Sequence, residues 1–101
     1  MFIFSIEGNM SKKALFKRIS TRLKNMGANK VGIFGSYARG EDNKKSDIDV
    51  LVHFKNRKSL LQMVEIEQAL SEELGIKVDL LTEQAISPYL IDRIKKETIP
   101  V

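Results

Sequence analysis

Val31-Gly32-Ile33-Phe34-Gly35-Ser36-Tyr37-Ala38-Arg39-Gly40, resumed at Ser46-Asp47-Ile48-Asp49-Val50-Leu51-Val52-His53-Phe54, is the stretch that decides the fold. Val31 to Phe34 is a short β-prone run that stops at a glycine. Ser36 to Arg39 reads as one helical turn, broken by Gly40 and the polar loop Glu41-Asp42-Asn43-Lys44-Lys45. Ile48 to Phe54 is the strongest strand signal in the chain. The loop from Gly40 to Ser46 is too short to carry the long helix of an ordinary parallel crossover. A mixed sheet is therefore expected rather than a fully parallel one.

Outward from this stretch, the pattern alternates. Upstream, Ser11 is a plausible N-cap, and Leu15, Ile19, Leu23 and Met26 recur at helical spacing until Gly27 closes the helix. Downstream, Lys55 to Lys58 is a charged turn. Leu61, Met63, Val64, Ile66, Leu70 and Leu74 then form a second amphipathic helix, closed by Gly75. Ile76 to Thr82 reads as a third strand. Ser87-Pro88 is an N-cap followed by a proline in the first helical position, and Leu90, Ile91 and Ile94 mark a last helix. Tyr89 reads as packing within that helix, and Tyr37 as packing that orients its turn. The order α-β-α-β-α-β-α predicts an α/β (α+β) domain, a mixed three- to four-stranded sheet packed by helices.

The 101 residues argue for one domain over 1–101. Residues 1–9 read as a poorly ordered or edge-strand extension, with Met10 an alternative start. The chain has no cysteine and one histidine, which excludes disulfides, Cys-based zinc sites and Cys nucleophiles, and suits a reducing cytoplasm. Apolar runs of a few residues fall far short of the roughly 20 that span a bilayer. The net charge of +4 favours a polyanionic partner only mildly, so nucleic acid is not favoured. Its distribution says more. Ser11 to Lys30 holds seven bases and no acid, whereas Glu65 to Glu83 holds six acids against Lys77. Two faces of opposite sign are expected.

Three carboxylates stand out. Asp47 and Asp49 lie two apart at a strand start, so they share one face with Cα atoms roughly 6–7 Å apart. Asp79 sits within Val78-Asp79-Leu80-Leu81, where an unpaired buried carboxylate is costly and needs a partner. A divalent cation shared with Asp47 and Asp49 would supply one, and all-oxygen donors favour Mg²⁺ or Mn²⁺ over zinc. Gly35 permits close backbone approach, Ser36 offers a hydroxyl, and the N–H groups after it suit a phosphate. Arg39, one turn later, can add charge to the same anion. His53 falls on the Asp47/Asp49 side by strand alternation and reads as a structural or surface residue.

Two known motifs nearly fit and fail. Gly35 to Gly40 has the glycine spacing of a P-loop, but Glu41-Asp42 stand where Lys and Ser/Thr are needed. Asp47-Ile48-Asp49 could open an EF-hand, but Leu51 and Val52 occupy its fifth and sixth positions. Gly35-Ser36, ten residues, then Asp47-Ile48-Asp49 instead resembles the signature of the DNA polymerase beta-like nucleotidyltransferase superfamily, and most of all its minimal, MntA-type members.

The resemblance implies Asp47, Asp49 and Asp79 as metal and catalytic carboxylates, with two Mg²⁺ expected and Mn²⁺ as a substitute. Gly35 and Ser36 would hold the nucleotide triphosphate, with Arg39 assisting. It implies transfer of AMP from ATP to an acceptor hydroxyl. Minimal members often partner HEPN-type toxins, so the expected acceptor is a tyrosine of such a toxin and the expected role an antitoxin. A stand-alone nucleotidyltransferase acting on a small molecule or nucleic acid is the rival enzyme reading. A non-catalytic module that masks the toxin is the third. Self-association stays open.

Overall fold

A computed structural model describes residues 11–43 and 45–101. The extension read over residues 1–9 lies outside them. Helix α1 spans Lys12–Asn25, and the Ser11 hydroxyl accepts the Ala14 N–H at 3.1 Å as its cap. Leu15, Ile19 and Leu23 of α1 are buried on one face. Strand β1 then runs over Ala28–Phe34, three residues earlier than its apolar core suggests. The single turn α2 is Ser36–Arg39, and β2 is Ile48–Phe54. Helix α3 covers Leu60–Leu74, opened by Ser59 and Gln62, which bond each other's backbone reciprocally. Strand β3 is Val78–Leu81, shorter at both ends than Ile76 to Thr82. A 3₁₀ turn at Glu83–Ala85 leads to α4, Pro88–Glu97, capped by Ser87.

The sheet has four strands in the order β3-β2-β1-β4 and is mixed, as the loop length requires. β1 and β2 are antiparallel with Phe34 opposite Asp49. β2 and β3 are parallel, joined through α3. The fourth strand, Ile99–Pro100, has too few residues to show in the sequence pattern. It pairs antiparallel with β1, Ile99 to Ile33 and Pro100 to Gly32. Pro100 is tolerated there because β4 is an edge. The Val101 N–H bonds Val31 O at 2.9 Å, and the buried Ser20 hydroxyl donates to Val101 O at 2.9 Å.

Strand alternation divides the residues cleanly. Ile48, Val50 and Val52 of β2 and Val78 and Leu80 of β3 join Val31, Ile33 and the α1 face in the core, with Leu70 and Leu74 of α3. Asp49, Leu51 and His53, with Asp79 and Leu81, take the alternate positions facing away from it. Two expectations fail. Leu61 and Val64, read as part of the buried face of α3, are 68% and 38% exposed. Both lie in the first two turns of α3, whereas its fully buried residues, Leu70 and Leu74, lie near its C-terminal end. Tyr89, read as helix packing, is 95% exposed. It lies two positions before Ile91, on the opposite side of α4.

Candidate active site

The polar cluster forms where the end of β1 meets the start of β2. The antiparallel register places Phe34 opposite Asp49, so Gly35 comes to rest directly against the Asp49 carboxylate. A Cβ on Gly35 would overlap Asp49 Oδ2. The backbone there, at φ 75° and ψ −153°, is a conformation only glycine adopts without strain. Both constraints make position 35 glycine. Gly40, at φ 74°, ends α2 in the left-handed region, and the Glu41 N–H bonds Ser36 O at 2.9 Å.

Asp49 and Asp79 are register partners on adjacent parallel strands and face the same side. Asp47 stands just before β2, with Ile48 buried between it and Asp49, and Lys77 Nζ lies 3.9 Å from its Oδ2. Burial is the main cause that lifts Asp49 above the ordinary carboxylate value, followed by the negative charges of Asp79 and Asp47; Arg39 acts the other way. The cluster therefore repels its own charge. That donor set fits a hard divalent cation, which would relieve the repulsion. Among the described residues, no three Asp, Glu, His or Cys side chains converge as a ready-made metal site.

Arg39 does not stand free beside the turn. Its Nε donates to Glu41 Oε1 at 2.9 Å, and its Nη1 meets both oxygens of Glu97 at 3.2 and 3.3 Å. Glu97 also accepts the Gly35 N–H at 2.7 Å. Sequence pattern alone missed Glu97, because nothing local marks it. Its register toward Gly35 follows only from β4. Tyr37 packs into the core as expected, and His53 is exposed, bonded to Asn29 Oδ1 at 2.6 Å, with Leu51 between it and Asp49.

A nucleotidyltransferase-domain family model matches residues 13–101, most of the chain. The chain belongs to the nucleotidyltransferase family. This nucleotidyltransferase is 44% identical over 92 residues to the provisionally named protein adenylyltransferase MJ0435 of Methanocaldococcus jannaschii, covering 91% of this chain and 99% of that one. A solved structure described, also provisionally, as a minimal nucleotidyltransferase superposes with a TM-score of 0.77 at 35% identity, covering 92% of this chain and 98% of its own. The nucleotidyltransferase also shares its fold with a chain from a complex of tri-AMPylated HEPN toxin and MNT antitoxin from Shewanella oneidensis. There the TM-score is 0.72 at 21% identity, over 89% of this chain and 71% of that one. The minimal nucleotidyltransferase fold implied by the family resemblance is thus the fold observed. Among the described residues, no helix is long and apolar enough to cross a membrane.

Proposed function

We propose that this nucleotidyltransferase transfers AMP from ATP to a tyrosine hydroxyl of a HEPN-type toxin protein and so acts as an antitoxin. The observation that carries the reading is the placement of Asp49 and Asp79 in register, with Gly35 and its turn against Asp49. The name of MJ0435 supports protein adenylylation, and the AMPylated toxin beside a chain of the same fold supports the acceptor.

In this reaction the acceptor oxygen bonds to the α-phosphorus, the bond to the bridging oxygen breaks, and pyrophosphate leaves with that electron pair. The acceptor proton passes to a base; Asp79, the register partner of Asp49, would either take that proton or serve only as a metal ligand. Asp47, Asp49 and Asp79 would hold Mg²⁺, with Mn²⁺ able to replace it. When bound, the ion offsets the negative charge of the phosphates and of the attacking oxygen. The Ser36 hydroxyl and the N–H groups of its turn would bind the β- and γ-phosphates. Arg39 would meet the same charge from the side of the turn.

The test is incubation with a cognate HEPN-type toxin, ATP and Mg²⁺, followed by intact mass of the toxin. An adenylyl-sized gain is expected, absent with the double variant Asp47→Asn, Asp49→Asn. A stable complex with no gain would replace transfer with simple masking of the toxin. Transfer of α-label from ATP by the double variant would remove the carboxylates from the chemistry.

A further inference from the structure

We propose that Glu97 is a positioning residue for nucleotide binding: one carboxylate holds the Gly35 amide and the Arg39 guanidinium together and so fixes the turn that receives the triphosphate. The inference rests on the nucleotidyl-transfer reading above and adds a residue to it.

The local sequence gives Glu97 no structural reason to be acidic. It is the last residue of α4, where the helix dipole favours a base, and its neighbours Lys95 and Lys96 obey that rule. Its reason is tertiary. Ile99 pairs with Ile33 in antiparallel register, so two residues earlier on one side stand opposite two residues later on the other. Glu97 is thereby delivered to Gly35 across 62 residues of sequence. The frame is firm. Thr98 Oγ1 donates to Ile94 O at 2.6 Å, and the Thr98 N–H bonds the same oxygen at 3.0 Å.

The carboxylate, only 25% exposed, accepts the Gly35 N–H on Oε2 at 2.7 Å. Both oxygens receive Arg39 Nη1. Gly35 begins the turn, and Arg39 ends it, so both ends of α2 are held from one point. Gly35 also abuts Asp49. A shift at Gly35 would reach the carboxylate cluster directly. The Gly35 bond, charge-assisted and 2.7 Å long, is short and directional, which suits a part that sets position, while the contacts of 3.2 and 3.3 Å hold Arg39 more loosely.

The test compares Glu97→Ala and Glu97→Gln with the wild-type chain by three readouts. These are hydrogen exchange of the Gly35 amide by NMR, the dissociation constant of a non-hydrolysable ATP analogue with Mg²⁺, and the split of KM for ATP against kcat. Glu97→Ala should expose the Gly35 amide and raise both the dissociation constant and KM by about tenfold or more, with a smaller change in kcat. Glu97→Gln keeps an acceptor for Gly35 but no charge for Arg39, so it should protect the amide and bind with intermediate affinity. Should Glu97→Ala fail to fold, Glu97→Gln alone carries the comparison. Unchanged binding in a folded variant overturns the inference and leaves the functional reading standing. Tighter binding also overturns it, since the carboxylate would then compete with the triphosphate. A wild-type chain that binds no analogue overturns the functional reading itself, and this inference with it.

Discussion

Gly35 concentrates the demands of the site on one position. Gly35→Ala meets a backbone conformation closed to other residues and a carboxylate already in the space. A loss of about 1–3 kcal/mol from strain alone is expected, read from urea unfolding, together with loss of nucleotide binding. Asp49 shows the opposite sign. Its folded pKa is raised, mainly by burial, so protonation favours the folded state. Its contribution is full below the unfolded value and is lost as pH rises through the folded one. Thermal melts without metal should therefore fall across that acidic window. Asp49→Asn should flatten the fall, raise the midpoint at neutral pH, and abolish any rise that Mg²⁺ gives the wild-type chain. A variant that melts lower than wild type without metal would contradict the charge repulsion.

At the scale of elements, β4 is the piece that closes the sheet, and Ser20 holds its end. Ser20→Ala leaves Val101 O without that bond and should cost about 1 kcal/mol, with faster hydrogen exchange at the Val101 amide. What was legible follows the length of each signal. Seven alternating residues in β2 and three buried apolar positions in α1 repeat often enough to be read, and Ser11 and Ser87 marked helix starts. The spacing from Gly35-Ser36 to Asp47 and Asp49 was also legible, because it lies in one continuous stretch. β4 was not, since two residues, one of them proline, carry no period. Glu97 was hidden with it, because its meaning depends on a pairing that sequence order does not show. The exposed Leu61 fits an apolar helix stripe in one dimension, but the fully buried residues of α3, Leu70 and Leu74, lie near its other end.

For the whole molecule, the two charged blocks of sequence prove to be neighbours. Arg18 and Arg22 of α1 both reach Glu73 of α3, at 3.3 and 2.9 Å. The opposite signs expected on separate faces thus partly meet across the helix layer. Glu73→Gln should lose about 0.2–1 kcal/mol in low salt, and less in 1 M salt, by urea titration. The assembly of the site carries a last consequence. Gly35 follows β1, while Asp49 and Asp79 lie on β2 and β3; β1 and β2 pair antiparallel, and β2 and β3 are joined only by a crossover. No local segment contains the three together, so they meet only after the long-range pairing is complete. Catalysis is then a late event in folding, and no partially folded intermediate should retain it. Transfer measured across a urea series should vanish along the same curve as the far-ultraviolet circular dichroism.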